Sequence, residues 1–298
     1  MKFTTFFFSG TGNTWWIAKQ FTDIALQKGH HAEYLSIENE NVNKLTFLEE
    51  KLKNTDALGI AYPIYGSTAP YIVWDFMERL ISISKSTLMG DKRLKNTKDG
   101  LPDPIREKVG YVLTSMAMFS GDGALILRKK MKNLGFPILG AINIKLASNI
   151  SVPGFHLDPV NEEKLAKRKR KAKEKISKFF ERIEAGDKKL EGRWNILGKI
   201  GGIGQRIFMD WALNRLLNFS VDRDTCIECM KCVNNCPTES IYFENDEFEF
   251  EDNCTYCMRC YNFCPSYAIK INDKKCDPEK YLRYQGPTED FKLKKLTS

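Results

Sequence analysis

The chain has 298 residues, 42% of them hydrophobic and 28% charged, with a formal net charge of +8. That balance fits a globular protein with room for one large domain or two modest ones. It excludes a membrane span, since no stretch supplies roughly 18 uncharged apolar residues, and the N-terminus MKFTTFFFSGTGNT carries no secretory cleavage pattern. The cytoplasm is the default compartment.

Lys2–Phe8 is a short apolar run that suits a strand buried on both faces of a parallel sheet. It ends in SGTGNT, residues 9–14. Thr14–Lys28 then places Ile17, Ala18, Phe21, Ile24 and Ala25 at helical spacing, and Gly29 stops the helix. His31–Ile37 and Ala57–Tyr62 read as further strands, Pro70–Ile83 as a helix, and Lys85–Lys108 as an exposed polar excursion. Val109–Ser115 and Ile138–Ala147 supply two more strands, with Gly123–Leu134 helical between them. Asn161–Ala185 closes the series as a long helix. Its basic run from Lys164 to Lys175 reads as a solvated face and not as a nucleic-acid site, and an acidic run, Glu244 to Asp252, could attract it. Alternating strands and helices predict an α/β fold, a doubly wound parallel sheet covered on both faces.

In such a sheet ligands bind beyond the carboxyl ends of the strands, where the winding reverses. SGTGNT lies there, between the first strand and the first helix. The helix start offers unpaired N–H groups and a partial positive charge, hence an anion site. Ser9, Thr11 and Thr14 add hydroxyls, Gly10 and Gly12 allow close backbone approach, and Asn13 completes the turn. A nucleoside-triphosphate loop needs a Gly-Lys-Ser/Thr, but no lysine occurs between Lys2 and Lys19. A dinucleotide loop needs a third glycine where Trp15 stands. A compact terminal monophosphate remains. The pattern Ser/Thr-x-Thr-Gly-x-Thr, met at Ser9, Thr11, Gly12 and Thr14, resembles the phosphate loop of the flavodoxins. That resemblance implies FMN, bracketed by the loops after the third and fourth strands: Tyr62, Pro63, Ile64, Tyr65 and Gly66 on one side, Ser115, Met118, Phe119, Gly121 and Gly123 on the other. Tyr65 is the first choice to stack on the ring, Phe119 the second.

All nine cysteines lie between Cys226 and Cys276. Confined so, they read as metal ligands and not as a disulfide scaffold. Cys226, Cys229, Cys232 and Cys236 precede Pro237; Cys254, Cys257, Cys260 and Cys264 precede Pro265. Each set is C-x2-C-x2-C-x3-C-P, the bacterial run for two [4Fe–4S] clusters, in which the fourth cysteine serves the other cluster. Cys226, Cys229, Cys232 and Cys264 then hold one cluster, and Cys254, Cys257, Cys260 and Cys236 the second. Zinc would use two pairs and leave the doubled pattern unexplained. Phe243–Phe250 reads as a hairpin around Asn245-Asp246. Cys276 reads as an incidental thiol, and no histidine or carboxylate forms a catalytic constellation.

The expected divisions are 1–187, a flavodoxin-like domain; 188–220, an apolar connector; 221–273, the two-cluster domain; and 274–298, a tail. Trp194–Phe219 reads as packing between domains, with a membrane or partner surface as the less favoured reading. Together the halves resemble the fused flavodoxin–ferredoxin proteins. The resemblance implies an FMN domain followed by a two-cluster domain, hence electron transfer between two [4Fe–4S] clusters and FMN. The lack of a visible nicotinamide domain favours a redox partner protein such as ferredoxin or a reductase, and thiolate clusters imply a reducing compartment, that of an anaerobe. The alternative is an FMN-dependent reductase of a small molecule, such as a quinone or nitro compound, fed through the clusters.

Overall fold

The structure, a computed structural model, describes residues 1–90, 108–192, 200–208 and 217–297, side chains 85–90 excepted. Residues 91–107 of the excursion expected at 85–108 fall outside the described residues, while 85–90 continue the preceding helix to Gly90; of the 194–219 connector, 194–199 and 209–216 fall outside.

Six parallel strands form one sheet in the order β2-β1-β3-β4-β5-β8. They are β1 (Lys2–Phe7), β2 (His31–Ser36), β3 (Ala57–Pro63), β4 (Val109–Met116), β5 (Ile138–Lys145) and the two-residue β8 (Lys189–Leu190). The order reverses between β1 and β3, so the carboxyl ends of those two strands flank the switch point. Alternation along β1 sets the layers, because successive side chains of a strand face opposite ways. Phe3 and Phe7 join the core under α1 (Asn13–Gln27) and α5 (Glu162–Glu184), with Phe21, Ile176, Phe179 and Phe180. Phe6 joins the opposite core, under α2 (Leu45–Asn54), α3 (Tyr71–Gly90) and α4 (Arg128–Asn133), with Leu48, Phe76 and Met131. Lys164, Lys167, Arg170, Lys171 and Lys173 of the basic run are exposed, while Arg168, Lys169 and Lys175 are half-buried and bond the carbonyls of Leu146, Pro287 and Asn143. Lys175 also pairs with Glu191, and no ion pair among the described residues joins the run to the acidic one.

Three departures from the sequence reading matter. Helix α2 replaces an unassigned stretch, held by only two buried residues, Leu48 and Leu52. Gly123–Leu134 is not one helix: a 3-10 turn at Gly123–Leu125 precedes α4, and the Gly123 carbonyl accepts from the Tyr62 hydroxyl at 2.8 Å. A small antiparallel hairpin, β6 (Ile150–Val152) with β7 (Phe155–Leu157), follows β5.

The cysteine-bearing half has its own core of Met258, Tyr261, Ile269, Ile271 and Cys276, joined by Val152 from β6. There β9 (Phe219–Val221) pairs antiparallel with β12 (Ile269–Ile271), and β10 (Ile241–Glu244) with β11 (Glu247–Phe250). Asn245 and Asp246 turn that hairpin at φ 50° and 62°, the left-handed pair a tight two-residue turn demands. Each cysteine run continues into one short helix, α7 (Lys231–Asn234) and α8 (Arg259–Phe263). Between the halves, 200–208 is helical (α6). The tail returns to the first half, where Phe291 and Leu296 enter the core beneath α1.

Candidate functional site

The SGTGNT turn is closed by its own side chains. Ser9 Oγ accepts the Gly12 N–H at 3.1 Å, and Thr14 Oγ1 shares a 2.8 Å hydrogen bond with Ser115 Oγ at the end of β4. Gly12 caps α1 in the left-handed region at φ 101°, and its open face lies against Pro287 and Phe291 of the tail. The first intrahelical bond runs from Trp16 N–H to the Gly12 carbonyl at 2.9 Å. Amides ahead of it are the donors that every helix start leaves unpaired. Ser9, Thr11 and Thr14 are all buried.

Above this turn opens a cavity of about 220 Å³, lined by Ser9, Gly10, Thr11, Asn13 and Thr14 together with Pro63–Gly66 and Ser115–Phe119. The two predicted loops thus converge on the predicted turn. Tyr65 lines the cavity, and its hydroxyl is buried beside Gly10, with the Asn149 carboxamide near but no hydrogen bond of normal geometry. Phe119 and Met118 stand half-exposed at the mouth. Tyr62, Gly12, Gly121 and Gly123 do not line it. Tyr62 is fully buried in the core on the other side of β3, because the strand's alternation turns it away from Pro63 and toward Gly123. Gly123 lies under Ile64, where a Cβ would come within 2.6 Å. The residues present suit a flavin mononucleotide: hydroxyls and free amides for a phosphate, no lysine in the loop, apolar walls for a ring.

Part of the wall comes from elsewhere in the chain. Gln205 of α6 reaches the cavity and accepts from Ser67 Oγ at 2.6 Å. Ser148, Asn149, Phe155 and Leu157 arrive after β5 and along β7, and Tyr256 and Met258 arrive from the second cysteine run. Asn149 Nδ2 donates to the Cys257 carbonyl at 3.2 Å, and the Asn149 carbonyl accepts from Asn262 Nδ2 at 2.9 Å. Asn13 accepts from the Tyr284 hydroxyl at 2.6 Å and donates to the Ala147 carbonyl at 2.9 Å. None of these partners has a local signal in the sequence; each is placed by tertiary packing.

All nine cysteines are free thiols. Cys226, Cys229, Cys232 and Cys264 line one small cavity of about 20 Å³. Cys236 of the first run lies near Cys254, Cys257 and Cys260 of the second, and Cys232 of the first run also lies near Cys260. Cys264 acts on Cys232 from the other run. Cys264 of the second run lines the same small cavity as the three close cysteines of the first. Burial pushes the thiols of Cys232 and Cys254 up to about 11 and that of Cys257 up to about 12. These are protonated thiols at neutral pH, whose protons must leave when metal binds. The two runs share one backbone: Glu228 and Tyr256, then Met230 and Met258, sit at φ between 51° and 63°. The turns aim amides at sulfur, Glu228 N–H to Cys226 at 3.4 Å and Tyr256 N–H to Cys254 at 3.3 Å. Among the described residues no three ligands converge on a single metal ion; a quartet spread around a cavity suits a cube whose four irons each take one thiolate. Cys276, apart from both quartets, is buried in the third core.

Residues 218–265 match the family model of the 4Fe-4S dicluster domain. No curated protein matches the chain. Among solved structures it is similar to rubredoxin oxygen:oxidoreductase from the anaerobe Desulfovibrio gigas, at 12% identity and TM-score 0.40 over 62% of this chain. The alignment spans only 36% of that protein. It is similar to a flavone reductase at 15% identity and TM-score 0.44, over 84% of this chain and 81% of that one. It is also similar to flavodoxin 2 from Bacillus cereus, at 18% identity and TM-score 0.38, over 62% of this chain and 99% of that one. A parallel sheet of order 2-1-3-4-5 with its cavity at the switch point is the flavodoxin-like arrangement, and the class defined is an iron–sulfur redox protein built on it. The chain thus joins a sheet of flavodoxin-like strand order to a segment, residues 218–265, that matches the 4Fe-4S dicluster domain.

Proposed function

We propose that the protein relays electrons between two [4Fe–4S] clusters and FMN, taking them from reduced ferredoxin or a partner protein in the cytoplasm of an anaerobe. One observation carries the reading: Tyr256 and Met258, on either side of Cys257, line the same cavity as the phosphate turn. When bound, FMN exchanges electrons singly or in pairs whereas each cluster passes one, and the protein contributes distance, order and potential.

The residues divide the work. Ser9–Thr11, Asn13 and Thr14 hold the phosphate, Tyr65 and Phe119 cover the ring, and Cys254, Cys257, Cys260 and Cys236 keep the nearer cluster beside the cavity. Cys226, Cys229, Cys232 and Cys264 form the outer quartet. Cys229 is exposed there and Ile227 beside it is 65% exposed, which gives a partner protein its docking edge. Burial of Cys257 at the inner quartet keeps water from the path between cluster and flavin.

A second reading is favoured by the outer wall of the cavity, where Phe119, Phe155 and Leu157 offer apolar cover beyond the phosphate turn. There a small planar acceptor would be reduced directly. Anaerobic assays separate the two: reduced ferredoxin as donor, with quinones and nitro compounds as acceptors and no further protein. The relay reading predicts flavin reduction by ferredoxin with negligible turnover of the small acceptors. Steady turnover of any of them rejects a pure relay in favour of the reductase.

A further inference from the structure

We propose that Arg259 is a positioning residue for the flavin phosphate, holding the phosphate turn from behind and tying it to the inner cysteine quartet. The proposal rests on reading the cavity as an FMN site.

Arg259 stands between Met258 and Cys260 and is 3% exposed. Its guanidinium has five N–H donors in a fixed fork, and every one is used. Nε donates to the Gly10 carbonyl at 2.9 Å. Nη1 donates to Glu38 Oε2 at 2.7 Å and to the Asn235 carbonyl at 3.1 Å. Nη2 donates to the Ser9 carbonyl at 2.8 Å and to Glu38 Oε1 at 2.6 Å. Glu38, just past β2, is also buried in its side chain. A buried cation is costly unless paired and fully hydrogen-bonded, and this one is both.

The two carbonyls give the network its purpose. In a trans peptide the C=O and the following N–H point in opposite directions. Drawing the Ser9 and Gly10 carbonyls to Arg259 turns the Gly10 and Thr11 N–H groups away from the cysteine half, where an anion in the cavity meets them. The positive charge also polarises those peptides, while Glu38 neutralises it, so the turn needs no lysine of its own. Asn235 precedes Cys236, and Arg259 itself lies between Cys257 and Cys260. The group that shapes the phosphate turn is thus anchored in the inner quartet. At the equivalent place in the first run stands Lys231, exposed and, among the described residues, without such contacts. The cysteine motif does not itself demand the arginine; the facing turn does. Lysine, with three donors on one nitrogen, would leave at least two of the five acceptors unmet.

Riboflavin, which lacks the phosphate, supplies the control. FMN and riboflavin are titrated by fluorescence quenching into the anaerobic, cluster-loaded full chain and into Arg259→Lys, Arg259→Met and Glu38→Gln. The expected result is an FMN dissociation constant raised about 10-fold or more in both arginine variants and a few-fold in Glu38→Gln, with riboflavin changed less than about 2-fold. Should Arg259→Met fail to retain its clusters, the two conservative variants carry the test. An equal loss for both flavins means a general structural role and overturns the proposal, as does unchanged FMN affinity in every variant. A wild-type chain that binds neither flavin overturns the cofactor reading itself, and this proposal with it.

Discussion

Gly10 shows what a single position is asked to do. A Cβ there would lie 2.5 Å from the Tyr65 hydroxyl and 2.6 Å from the Cys257 carbonyl oxygen. The first could swing aside, but the second is backbone of the inner quartet. Gly10→Ala must therefore push the phosphate turn and the cysteine run apart, an overpacking worth about 1–3 kcal/mol. We expect a lower melting temperature and loss of flavin on gel filtration; a variant that melts and retains flavin like the wild type would remove the close approach from the account. In the sequence Gly10 is legible as a residue that lets backbone come near, but the backbone in question belongs to Cys257. Tyr62 shows the complementary limit. A strand buried on both faces carries apolar residues at every position, so its pattern does not say which end residue faces the cavity. Pro63 lines it; Tyr62 is turned into the core.

At the scale of elements, the doubled cysteine run is the most readable part of the chain because its demands are local. Three close cysteines, a longer gap and a proline reappear as two short helices with matching left-handed turns at Glu228 and Tyr256 and at Met230 and Met258. Crossed ligation is the expectation for this doubled run and can be checked by exchange of the fourth cysteines. Cys264→Ser should alter the same centre as Cys226→Ser in the spectrum of the reduced protein by electron paramagnetic resonance, and Cys236→Ser the same centre as Cys254→Ser. If instead Cys236→Ser matched Cys226→Ser, each run would be holding its own cube. Less legible were α2, whose ten residues bury only two leucines, and the β6–β7 hairpin, three residues a strand. Neither is long enough for a period to emerge. Yet the hairpin is what joins the halves: Val152 enters the core of the cysteine half, the Tyr261 hydroxyl donates to the Ser151 carbonyl at 2.7 Å, and Phe155 and Leu157 face the cavity.

For the whole molecule the issue is how two halves with separate cores come to share one site. The packing joins them in four places: the β6–β7 hairpin, the Arg259 fork, the Asn149–Cys257–Asn262 bonds, and the tail, which passes from Tyr284 on Asn13 to Phe291 against Gly12. The donors and acceptors that cross between the halves lie more than 100 residues apart in sequence, so spacing could announce each half but not their meeting. Among the described residues no helix is long and apolar enough to cross a membrane, and α6 instead lies over the first half, Arg206 bonding Asp122 at 2.6 Å and the Ser67 carbonyl at 3.0 Å. The central claim is that one chain keeps a flavin in this shared cavity and carries both cubes in its cysteine half. Counting FMN, iron and acid-labile sulfide in a single oxygen-free preparation tests it most directly. The account predicts one FMN with about eight irons and about eight sulfides per chain; a preparation with its iron complete but no bound flavin, or with flavin and only one or two irons, would contradict it.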